Sequence, residues 1–205
     1  MTAVSHEAPP APAHAHAGVS DARIPASIVP LVGLPFVAAV IVGLIVSIAG
    51  NWLWALEWYH VVGGAGWTTL DLFLGFVLGP MIARMSIPTR AEFMARFFPK
   101  ILLILPTLVM MTLSSGFQLA RHLGYIDSSY PRHAWIVASF IVVGIMAVVA
   151  LGVVEPANLA VLFEMRKPQP NGELIARLTR RFIYTSGITG VMQVGTLIIM
   201  TRIAS

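Results

Sequence analysis

The chain has 205 residues, of which 57% are hydrophobic and 11% charged, with a mean hydropathy of +0.82 and a net charge of +4. This composition excludes a soluble globular domain, because one small core cannot absorb repeated apolar runs that approach or exceed the roughly 20 residues needed to span a bilayer. The absence of cysteine excludes disulfides, thiolate metal sites and thiol nucleophiles, and the basic residues sit in short gaps between apolar runs, which signals membrane topology and not a nucleic-acid surface.

Residues Met1 to about Ala26 contain HEAPPAPAHAHA, with too little apolar bulk to offset the entropy of ordering, and read as a disordered cytoplasmic tail. His6, His14 and His16 stand among small residues there, and the inert reading outweighs weak metal chelation. No basic segment precedes the first apolar run, so a cleaved signal peptide is not expected.

Residues 27–205 are expected to form one transmembrane domain with five apolar segments, near Val29–Ala49, Trp54–Met85, Phe97–Arg121, Ala134–Phe163 and Phe182–Met200. Each is expected to be helical, since lipid offers an unpaired amide no partner and none alternates like a barrel strand. The second and fourth exceed a simple span, which implies tilt or extension into water. Arg23, Arg84, Arg90, Arg96, Lys100, Arg166, Lys167, Arg177, Arg180 and Arg181 fall on one side, and only Arg121, Arg132 and Arg202 on the other. The positive-inside rule then puts the N-terminus in the cytoplasm and the C-terminus outside, with Trp52, Trp54, Trp58 and Tyr59 as an outer aromatic belt.

The second segment carries the densest chemistry. His60, Gly64, Trp67 and Asp71 are spaced by four, three and four residues and share one helical stripe. That stripe is expected to face protein, because a carboxylate turned to lipid costs a few kcal/mol. The rise from His60 to Asp71 is about 16 Å, which sets the imidazole near the outer surface and the carboxyl near mid-membrane. Gly63, Gly64 and Gly66 serve either the close approach of a neighbouring helix, the commoner use of small residues in membranes, or room for a flat ligand such as haem.

His122 ends the third segment, on a stripe with Ser115 and Gln118, and His133 opens the fourth after a gap with Asp127 and Pro131. Converging with His60, the three imidazoles would bind copper, or a pair of them would ligate a b-type haem; the competing reading is that interfacial histidines flank a solvated loop. Met110 and Met111 are possible soft copper ligands or simple packing. Pro99 and Pro106 are expected to kink the third helix, and Thr185, Ser186, Thr189 and Gln193 to bond between helices. Glu155, before Pro156 and Asn158, either pairs with a base such as Arg84 or Lys100 or relays a proton with Asp71, pairing being the expected outcome.

The stretch from His60 to Trp67 resembles the first core helix of the CopD/HemJ-like superfamily of multi-pass membrane proteins. The likeness continues through Gly79 and Pro80, the basic residues, and ARFFPKILLILPTLVMMTLSSGFQLA with its Pro106, Thr112 and Gly116, and on to Arg177, Arg180 and Arg181. It covers about residues 53 to 202 and implies an all-α membrane bundle of five transmembrane helices, one added helix plus a four-helix core, in a bacterial inner (plasma) membrane. It also implies haem or copper associated through His60, the one residue the likeness carries over directly; the residues themselves suggest His122 or His133 as second ligand, Trp67 and Asp71 beside it, and a redox or metal-carrier partner. A protoporphyrinogen-oxidase-like enzyme is the alternative. That branch carries Asn-Glu and Pro near the last helix, where RRFIYTSGITG has neither, and a small residue where Thr69 stands. Superfamily members without an assigned reaction are similar as well, and a non-catalytic membrane subunit is the third possibility.

Overall fold

The computed structural model describes residues 30–204, so the expected N-terminal tail lies outside the described residues. Among them every regular element is helical, and five helices are long and apolar enough to cross a membrane: α1 (Leu31–Ala49), α2 (Leu53–Ala83), α3 (Ile87–His122), α4 (His133–Met165) and α5 (Gly172–Ala204). The predicted spans recur, but α3 and α5 begin about ten residues earlier, in the basic stretches before the apolar runs. These starts have local causes. Ser86 accepts the Thr89 amide and Pro88 occupies the first turn of α3, while Asn171 Oδ1 accepts the Leu174 amide at 3.0 Å to open α5.

Tight connections force neighbouring helices to run antiparallel. Between α1 and α2 the chain reverses through Asn51, whose φ of 50° is tolerated by asparagine. At the end of α2, Arg90 reaches back from α3 and donates to the carbonyls of Ile82, Ala83 and Met85 at 3.1 to 3.2 Å, in addition to the Met85 amide that Ile82 accepts. At the opposite end, Tyr130 and Arg132 from the α3–α4 loop both donate to the Ile203 carbonyl, tying that loop to the end of α5. In the same loop the Ser129 amide and hydroxyl donate to the exposed Asp127 carboxylate and hold its pKa below the usual range.

α2 and α3 lie side by side along most of their length, α5 packs against α2 and α4, and the second half of α4 closes on α3 and α5. α1 rests on the outside of α2 and α3 and is the least buried of the five. Lipid tails supply no hydrophobic force between helices, so backbone approach and packing must hold the bundle. Gly75 and Gly187 provide that approach, since a Cβ on Gly75 would overlap the Gly187 backbone. Below them Phe98 and Phe182 meet edge to face at 5.4 Å, both almost fully enclosed.

Two of the long helices are locally widened. Residues Phe73–Leu78 of α2 and Ala150–Val154 of α4 adopt turns with i→i+5 bonding. Each precedes a proline at the start of the resumed α-helix, Pro80 and Pro156. Proline donates no amide to the carbonyl four residues back and its ring crowds that oxygen; Phe76 and Gly152 occupy those positions, inside the two widened turns. α3, by contrast, runs as α-helix through Pro99 and Pro106.

Candidate functional site

His60 is fixed by α3. Its Nδ1 lies 2.9 Å from the Thr112 carbonyl oxygen, and a carbonyl only accepts, so Nδ1 carries a proton and, in the neutral ring, Nε2 holds the lone pair. Gly116, one turn beyond Thr112, makes room for the ring: a Cβ there would overlap the imidazole at Cε1 and Nδ1. Nε2 has no bonding partner and is not fully enclosed, so it is accessible where α2 and α3 meet. Metal-ligating histidines typically donate their second ring N–H in this way, to a carboxylate, water or backbone carbonyl.

The glycines beside His60 serve helix approach. A Cβ at Gly63 would overlap the Met111 and Thr112 side chains, and one at Gly66 would press on Leu108, so α3 fills the notch in which a flat ligand was the other expectation. Met111 is buried in that contact, whereas Met110 is exposed on the outer face of α3.

The stripe from His60 to Asp71 does face protein, but it divides between two partners. Trp67 and Asp71 are 2% and 3% exposed, and Asp71 bonds to α5: its Oδ2 lies 2.9 Å from both Thr189 Oγ1 and Gln193 Nε2. Thr189 and Gln193 therefore bond between helices as their spacing suggests. His60 bonds to α3 instead, so the imidazole and the carboxyl belong to separate polar sites. Trp67 stands at the second of these, lining a cavity with Asp71.

The other two candidate imidazoles stand at helix ends. His122 is exposed at the end of α3, and His133 opens α4 half-buried, its Nδ1 enclosed without a partner. Ser115 and Gln118, on the His122 stripe, bond to the Met111 carbonyl and to Asn51 Oδ1. Among the described residues no three His, Cys, Asp or Glu side chains come together to hold a metal ion. The donors present thus fit one imidazole ligand and do not assemble a three-histidine copper centre. Tyr59, expected in the aromatic belt, turns inward and donates to the Val40 carbonyl at 3.2 Å, while Trp52, Trp54 and Trp58 project outward.

Glu155 departs from the expected pairing, for it forms no ion pair with Arg84 or Lys100; the described pairs are Arg96–Glu92 and Lys167–Glu164. It lines the same cavity as Asp71, and its Oε2 is enclosed without a hydrogen-bond partner. Sequence reasoning singled out both carboxyls but missed the widened turn beside each, for which Pro80 and Pro156 were the available signal. It also missed Thr179, whose buried hydroxyl has no partner.

The chain matches no family model, no curated protein and no solved structure.

Proposed function

We infer that this multi-pass membrane protein is haem- or copper-associated through His60 and serves electron transfer or metal handling, in the manner the CopD/HemJ-like resemblance implies; because α3 fills the glycine notch, haem would meet Nε2 outside it. One observation carries the reading: the Nδ1–H of His60 is tied to the Thr112 carbonyl in the space left by Gly116, so Nε2 is the free ligand atom. Thr112 and Gly116 are two of the residues on which the resemblance rests, and both meet at His60. A single proximal imidazole suffices to hold haem iron, whereas a copper centre built from His60, His122 and His133 would need the three to converge.

In this role His60 binds and Thr112 orients it, fixing the tautomer. Bound haem would supply one-electron chemistry, exchanged with a redox or metal-carrier partner. The basic residues between α2 and α3 and between α4 and α5, with the start of the helix that follows each, support an N-terminus in the cytoplasm, and the resemblance supports a bacterial inner membrane.

The test is an absorption spectrum of protein purified from haem-replete cells. The expected result is a Soret band that His60→Ala abolishes and His122→Ala leaves in place. A colourless preparation that also binds no copper would overturn the reading and leave a bundle whose polar stripe only packs helices.

A further inference from the structure

Independently of His60, the bundle holds two carboxyl groups on one narrow, partly open cavity. Asp71 of α2 and Glu155 of α4 line a cavity of about 10 Å³, close to the smallest volume that admits one water molecule. No other ionisable side chain lines it. Ser186 of α5 does, and it is 1% exposed with its hydroxyl unpartnered. With Glu155 Oε2 also unpartnered, the space offers the hydrogen-bonding groups that a water needs.

The hydrogen bonds around Asp71 accommodate either charge state without moving a heavy atom. Thr189 Oγ1 lies 2.9 Å from Asp71 Oδ2, 3.1 Å from the Thr185 carbonyl and 3.0 Å from the Ser186 carbonyl. A hydroxyl has one proton to give. It donates to Asp71 when the carboxylate is ionised; when Oδ2 carries a proton, Thr189 accepts it and turns its own hydrogen to a helix carbonyl. Gln193 donates to Oδ2 in both states.

We propose that Asp71 and Glu155 form a proton-binding pair that shares one transferable proton through a single water in this cavity. In the transfer the Glu155 O–H bond breaks as the water takes that proton, and the water releases another to Asp71 Oδ2. The result is ionised Glu155, protonated Asp71 and an unchanged water; reversal restores the start. The widened turns directly after Leu72 and directly before Glu155 place each carboxyl beside an irregular stretch of helix, a feature frequent at functional sites.

Infrared spectroscopy of the full-length protein in lipid tests this through the C=O stretch of protonated carboxyl groups. The expected spectrum contains such a band in the wild type. Glu155→Gln and Asp71→Asn are each expected to alter or remove it, and exchange into deuterated buffer to shift it. Thr189→Val is expected to perturb the band and Thr189→Ser to restore it, whereas a merely structural threonine would leave it unmoved. Circular dichroism and monodisperse elution identify folded variants, and the near-isosteric Thr189→Val remains informative should a carboxyl variant fail to fold. Absence of the band, bands that respond to Glu155→Gln and Asp71→Asn independently, or loss of the band when sodium replaces choline in the buffer would overturn the proposal; the last would assign the pair to a metal cation.

Discussion

His60 shows how much one backbone oxygen decides. Its position on a glycine-bearing stripe with Trp67 and Asp71 was legible, because four-three-four spacing is a property of any helix. The partner was not legible: the Thr112 carbonyl belongs to the peptide, and nothing in a side-chain pattern marks which carbonyl a distant imidazole will reach. Gly116 can be tested directly. Gly116→Ala places a methyl where the ring now lies, and overpacking of this kind costs about 1–3 kcal/mol. The variant is expected to melt earlier in detergent than the wild type and to weaken any Soret band in proportion to the imidazole displaced; an unchanged melting point and spectrum would show that the contact does not position His60. Asp127 gives a simpler case at this scale. Its carboxylate is held below the ordinary range by Ser129, so its contribution to loop order is complete above the ordinary carboxylate pKa and is lost as pH falls through the lowered value.

At the level of the helix, apolar runs announced all five spans, yet they understated α3 and α5 and gave no hint of the widened turns in α2 and α4. Hydropathy reports what a residue prefers to touch, whereas each i→i+5 turn stands before a proline, and prolines alone do not produce one, since α3 stays α-helical through Pro99 and Pro106. The contact of Gly75 with Gly187 was hidden for a related reason. Small residues mark places where helices come close without naming the partner helix. Gly75→Leu is expected to force α2 and α5 apart, with a loss of stability at the upper end of the roughly 1–3 kcal/mol range or beyond. Thermal aggregation of the purified variant, set against Gly144→Leu, where an added Cβ meets nothing within 4 Å, measures that cost. Equal stability of the two variants would contradict the assigned packing.

For the molecule as a whole, the basic residues predict an orientation that labelling can read. The chain has no cysteine, so a single introduced thiol reports unambiguously. Ser128→Cys, in the loop after α3, is expected to react with an impermeant maleimide in intact cells, and Gln169→Cys, before α5, only after lysis; the reverse pattern would invert the assignment. The all-α bundle was the most legible feature because length and apolarity alone produce it, while the cavity between Asp71 and Glu155 needed four helices in register before it existed. The outlying position of α1 has a mechanical consequence. With 19 residues it reaches only about 28 Å, while each of the remaining four exceeds about 45 Å. A thick, sterol-rich bilayer would therefore strain this segment first, and because it leans on the flank of the assembly it can adjust its tilt while the polar interior keeps its shape.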